Sequence, residues 1–273
     1  MEEYLTTTIT KLKANNYNEL TLVLGNESCD LDSAVSALVY AAFLHWQYSQ
    51  IKCKACTRKY RDESYKDDIF VPILDVERND YPIKTDVVYC LKKHGIDETN
   101  LIFSNKQQNL ISCEPLGGMY SVRPAYRIKF ILTEDILVTK SKMSVVLTDH
   151  HFLSRRYDFL SPFVSEIIDH RPVVNASFND IRTTIQTVGS CCTLVTHRIR
   201  DLTNLLAKDG DFFGAYPVTA DLLHSVILLD TANFSKEVNK ATPSDEDAVL
   251  YLECLIKPAD YQKERSLACY SVV

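Results

Sequence analysis

No run of lysine and arginine stands anywhere in the sequence, and the formal net charge is −6. A protein that grips nucleic acid by electrostatics alone needs a basic face, so nucleic acid is not an expected partner. A polyanionic substrate would need positive charge from another source, and bound metal is the natural candidate. Long apolar runs are also missing. The longest, residues 34–46, falls short of the roughly 20 residues that a membrane-spanning helix needs. The first residues, Met1 to Leu5, are acidic and lack the apolar centre of a signal peptide. A disulfide pattern is absent too: the nine cysteines are odd in number and the chain is not short. They are expected to be reduced thiols of a cytoplasmic protein. Cys53 and Cys56 form a CxxC, but no second pair of matching spacing exists to close a zinc site. No internal repeat or low-complexity segment occurs.

What is present is alternation. The 273 residues suffice for one large domain, or one domain and part of a second. Short apolar runs at 21–25, 69–74, 101–104, 144–148 and 166–168 read as buried strands. Helical periodicity is read at 33–46, 86–94, 190–206 and 219–230. Thr242-Pro243-Ser244-Asp245 reads as a helix start reaching to about residue 256, with Thr242 as cap, Pro243 in the first turn and Asp245 closing a capping box. Strands alternating with helices predict an α/β fold with a largely parallel sheet flanked by helices. Functional residues should then gather at the carboxyl ends of strands. Residues 113–133, with Pro115, Gly117, Gly118 and Pro124, break this pattern and read as a surface insertion.

Four acidic or histidine-bearing clusters stand at the expected element ends. They are Asn26-Glu27-Ser28-Cys29-Asp30-Leu31-Asp32, then Asp149-His150-His151, then Asp169-His170-Arg171-Pro172, and Asp230-Thr231 after Leu229. Any one of them alone is as well explained by a helix cap, a solvated loop or a structural histidine. Four together point to metal. Carboxylate and imidazole ligands suit Mn²⁺ or Mg²⁺ better than thiolate would. Two such ions about 3.5–4 Å apart can share a carboxylate and activate water for attack on phosphorus. An arginine beside them can hold phosphate with its planar fork. Gly189-Ser190-Cys191-Cys192-Thr193 opens a helix, where free amides favour an anion or Ser190 acts as an ordinary cap.

The order Asn-x-x-x-Asp-x-Asp, Asp-His-His, Asp-His-Arg-Pro, Gly-Ser-Cys-Cys-Thr and Leu-Asp-Thr resembles the DHH phosphoesterase superfamily. Within it the chain looks like the prune and exopolyphosphatase branch, which is similar to family II inorganic pyrophosphatases. The match covers roughly residues 20–247 apart from the insertion. The resemblance implies two divalent ions, Mn²⁺ or Mg²⁺. Asp30 would bind one and Asp32 the other, with Asp149 bridging them and His170 and Asp230 completing the second site. His150, His151 and Arg171 would contact phosphate or orient water. Asp169 would fix the ring of His170 or a neighbour. Asn26 stands where the pyrophosphatases have a histidine ligand, as it does in the prune branch, and would contact substrate. Ser190 and Lys240 are further expected substrate contacts, Lys240 because Lys240-Ala241-Thr242-Pro243 resembles the linker to the family's second domain.

Residues 1–235 are therefore expected to form the DHH domain, and 236–273 a linker with the remnant of a truncated C-terminal lid domain. The implied activity is hydrolysis of phosphoanhydride bonds in short-chain polyphosphate or pyrophosphate, with a nucleotide phosphoester as a further candidate. The alternative is a prune-like regulatory or binding protein with weak turnover or none.

Overall fold

A computed structural model of the chain describes residues 1–55, 66–104, 112–115, 126–133, 136–140, 142–173, 178–206 and 211–256. Cys56, Gly117, Gly118, Pro124 and the tail 257–273, where the remnant of a second domain is expected, lie outside them.

Five strands, β1 (Leu20–Leu24), β2 (Ile69–Ile73), β6 (Met143–Thr148), β7 (Val164–Asp169) and β8 (Arg182–Ile185), form an all-parallel sheet in the order β2-β1-β6-β7-β8. The α/β expectation holds. Parallel sheets are buried on both faces, and this one is. Along β1, Val23 enters one core cluster while Leu20, Leu22 and Leu24 enter the other. Val146 and Ile168 repeat the first orientation on β6 and β7, and Val145, Leu147 and Ile167 the second.

Helix α2 (Leu31–Ala55) follows β1 directly. Its residues Ser33 to Phe43 are buried without interruption, because the sheet covers one side and helices α4 (Cys191–Leu206) and α6 (Pro217–Asp230) cover the other. Helix α7 (Pro243–Glu253) puts Ala248, Val249 and Leu252 into the same core. It therefore packs with the first domain, although it lies beyond the boundary expected at residue 235. Helix α1 (Glu2–Lys13), which the sequence reading missed, is tied to β2 by the Tyr4 hydroxyl donating to the Phe70 carbonyl at 2.6 Å. Two short helices, α3 (Thr85–Lys93) and α5 (Phe212–Ala215), complete the set.

Two expectations change. The run 101–104 is not a strand; it makes a single parallel bridge, Leu74 to Phe103. One apolar run is too little to extend the sheet when only Leu74 offers it a partner backbone. The segment read as an insertion, 113–133, contains β4 (Tyr126–Thr133) and most of β3 (Ser112–Pro115), which with β5 (Ile136–Lys140) just beyond it form an antiparallel sheet separate from the parallel one.

Strand order fixes where a site can lie. The chain goes from β1 outward to β2 on one side, then returns to place β6 on the other. The carboxyl ends of β1 and β6 thus flank a topological switch point, where the following loops diverge and leave a crevice. The Asp30-Leu31-Asp32 and Asp149-His150-His151 segments follow those two strands.

Candidate metal centre

The loop after β1 is tightly built. A Cβ on Gly25 would stand 2.5 Å from Ser33 Oγ, so only glycine lets the strand pass this close to α2. Ser33 Oγ accepts the Asn26 amide at 2.7 Å. Asp30 caps α2 by accepting the Ser33 amide at 3.0 Å, and its other oxygen accepts from Ser28 Oγ at 2.9 Å. Asp30 is exposed at the rim of the crevice. Asp32, in the first turn of α2, is buried and points across to the start of α4. It accepts from the amides of Cys191 (2.7 Å) and Cys192 (2.9 Å) and from Ser190 Oγ (2.8 Å). The anion expected at this helix N-terminus is thus a carboxylate of the chain itself. Ser190 bonds that carboxylate.

Asp149 ends β6 with φ at 62°, in the left-handed region that a non-glycine residue rarely occupies. Its side chain is 1% exposed. Asn26 Nδ2 donates to Asp149 Oδ2 and, at 3.2 Å, to its carbonyl. Asn26 Oδ1 accepts from the Ser28 amide at 2.7 Å. Both ends of the Asn26 amide are therefore engaged in shaping this corner. His170, after β7, aims Nε2 at Asp149 Oδ1 (3.2 Å) and Asp32 Oδ2 (3.8 Å), and its Nδ1 lies 3.0 Å from the Val188 carbonyl. That contact places the Nδ1 proton on the carbonyl side and leaves Nε2 as the ligand atom. Asp32, Asp149 and His170 together offer three ligand atoms within 4.8 Å of one another.

Asp169 accepts from the Arg171 amide at 3.2 Å and bonds the ring of His151 rather than that of His170. His150 is held through Nδ1 by the Thr148 carbonyl at 3.0 Å. Arg171 contacts the Asp149 carbonyl through one nitrogen and lies 3.4 Å from Asp149 Oδ1 through another. Asp230 closes helix α6, in agreement with the helical periodicity read at 219–230. It stands beside Asp32 electrostatically and 3.5 Å from Lys240 Nζ. Neither Asp30 nor Asp230 joins the three-residue group.

Electrostatics within the group are strained. Burial, reinforced by Asp32, lifts Asp149 to about 7 even though the His170 bond opposes the shift. Burial and then Asp32 lift Asp230 to about 8. Burial disfavours charge on His170, but its bond to Asp149 and the charge of Asp32 outweigh that and carry it up to about 9. The corner holds on to protons because clustered carboxylates lack a countercharge. Asp230 Oδ2 is, besides, buried with no hydrogen-bond partner among the described residues, and Asp149 Oδ1 is approached only by His170 and Arg171. Oxygen and imidazole donors, an orphaned carboxylate oxygen and raised carboxyl pKa values all fit a divalent cation.

An open cleft of about 510 Å³ adjoins the group, lined among others by Asn26, Ser28, Asp30, His150, Tyr157 and Arg171. Sequence reasoning missed Asp75 on its wall. Asp75 is 3% exposed and accepts from Arg156 Nη2 (2.6 Å) and Tyr157 Oη (2.7 Å). Its signal was available: it directly follows a predicted strand, as the other acids do.

No protein-family model matches the chain. Exopolyphosphatase PRUNE1 of Homo sapiens is 32% identical over 256 residues, which cover 93% of this chain and 45% of that protein. PRUNE1 of Mus musculus is 31% identical over 97% of this chain and 47% of its own length. The crystal structure of a Methanococcus jannaschii protein described as a candidate family II inorganic pyrophosphatase has the same fold, with a TM-score of 0.51 and 20% identity over 91% of this chain and 60% of that one. The chain spans about half the length of the curated relatives it matches. By sequence over most of its length the chain is related to the proteins named exopolyphosphatase PRUNE1, and its fold is that of the family II pyrophosphatase structure.

Proposed function

We propose that the chain is a metal-dependent phosphohydrolase acting on phosphoanhydride bonds of short-chain polyphosphate or pyrophosphate. The observation that carries this reading is the buried Asp32, Asp149 and His170 group at the switch point, in a chain akin to proteins named exopolyphosphatases. In this reading Asp32, Asp149 and His170 would hold one divalent ion with Asp230 beside Asp32, and Asp30 would contribute to a second, Asp149 serving both. Bound Mn²⁺ or Mg²⁺ would supply the Lewis acidity that activates water and neutralises phosphoryl charge.

The chain's own residues do the rest. Asn26 and the bond from His170 fix the Asp149 carboxylate. Asp169 fixes the His151 ring. Arg171 lines the cleft, half exposed, with guanidinium donors left to grip phosphate oxygens. His150 lines the same cleft, where burial keeps its ring below the usual histidine range. With its Nδ1 proton given to the Thr148 carbonyl, a neutral ring there can accept one proton at Nε2. Lys240, 3.5 Å from Asp230, adds a cation to a site that otherwise gathers acids. Ser190 serves Asp32 first, which makes any substrate contact by it indirect.

Phosphate release from tripolyphosphate by the purified chain tests the reading, with Mn²⁺ or Mg²⁺, with chelator, and beside Asp149→Ala. Metal-dependent release lost in the variant is the expected result. Release that survives chelation, or none from the unaltered chain with metal bound, overturns it.

A further inference from the structure

Asp245 is 0% exposed and lies outside the group described above. Its carboxylate accepts four hydrogen bonds. Two come from Thr242, from the amide and the hydroxyl, each at 2.7 Å, and the amide bond is one arm of the capping box of α7. The other two cross to a distant part of the chain: the Gly189 amide at 2.9 Å and Thr193 Oγ1 at 2.5 Å. A capping box asks only the amide bond of this carboxylate. All four donors are neutral, so the buried charge is held by hydrogen bonds alone, an arrangement that costs several kcal/mol if a donor is lost.

The second pair brackets the turn from Gly189 to Thr193. Within that turn lie Ser190, Cys191 and Cys192, whose hydroxyl and amides all bond Asp32. Gly189 leaves no slack. A Cβ there would meet Thr231 Cγ2 at 2.7 Å and Asp245 Oδ2 at 3.0 Å. A continuous path thus runs from the start of α7 through Asp245 to the turn and on to the Asp32 carboxylate.

We propose that Asp245 is a positioning residue for the metal centre, clamping the Gly189–Thr193 turn so that its donors set the orientation of Asp32. The proposal rests on the metal-centre reading above. Asn at this position matches Asp in shape but presents an NH₂ group to donors, so at least one of the four bonds is lost.

The test is Mn²⁺ affinity of the full chain, measured by calorimetry and by the Mn²⁺ electron paramagnetic resonance signal, with thermal unfolding in chelator alongside. Asp245→Asn is expected to weaken Mn²⁺ binding about tenfold, the low end for groups behind a ligand. Leu252→Ala, a fully buried α7 change far from the turn, is expected to lower the unfolding temperature at least as much and leave Mn²⁺ affinity unchanged. Thr193→Val should act as Asp245→Asn does, and Thr193→Ser should restore wild-type affinity; this pair decides the matter if Asp245→Asn does not fold. Unchanged affinity in both Asp245→Asn and Thr193→Val, or an equal loss in Leu252→Ala, overturns the proposal alone. No Mn²⁺ binding by the unaltered chain overturns the metal reading and this proposal with it.

Discussion

Asp149 combines a left-handed backbone with near-complete burial and the approach of both His170 and Arg171, and such outliers gather where function over-determines geometry. Asp149→Ala should therefore reduce Mn²⁺ affinity by more than the about 10–100-fold typical of removing a group behind a ligand, as titration calorimetry would read. The raised acids give a second expectation. With chelator present, the folded state binds protons more tightly than the unfolded chain at Asp149 (about 7), Asp230 (about 8) and His170 (about 9). Stability from the two acids is full below about pH 4 and is lost as pH rises toward 7 and 8; that from His170 is full below its unfolded value and lost toward 9. Asp149 and His170 face each other and titrate as a pair. The metal-free chain should thus unfold more easily as pH rises from 6 to 9, and Mn²⁺ should restore more stability at pH 8.5 than at pH 6, as thermal unfolding would show. At this scale the sequence was legible where acids follow apolar runs. It was silent on partners: nothing in Asp169-His170-Arg171 says that Asp169 holds His151, because the choice depends on strand twist and neighbour packing.

The loops and helix starts obey local rules that the sequence states openly. Thr242-Pro243-Ser244-Asp245 reads as a capping box and is one. Thr242→Ala should lower stability by about 1 kcal/mol, visible in the denaturation midpoint. Gly189→Ala should cost more, about 1–3 kcal/mol, since the new methyl meets Thr231 and a locked Asp245, and it should weaken Mn²⁺ binding as well. Elements whose pattern was blurred were lost or misread. β8, with its burial only partial along Arg182–Ile185, carries no continuous apolar run.

Across the whole molecule, the largely parallel sheet followed from alternation alone, whereas the strand order did not. Order depends on which edges remain open when later strands arrive, and no local signal encodes that. A ligand that binds only the folded chain stabilises it by mass action, so Mn²⁺ at about 100 times its dissociation constant should add about 2.7 kcal/mol to unfolding free energy; no shift at saturating metal would count against the centre. The strand order has a temporal side as well. β1 pairs with β6 in register from Leu20↔Met143 to Leu24↔Leu147, across more than a hundred intervening residues. Until β6 has been made, one edge of β1 stays open, and non-local pairing of this kind is slow to form and exposed to aggregation meanwhile. During synthesis the acids near residue 30 wait through about half of the chain for Asp149 and His170, so on the proposed reading the ability to bind metal would arrive late and report that the sheet has closed in its correct order.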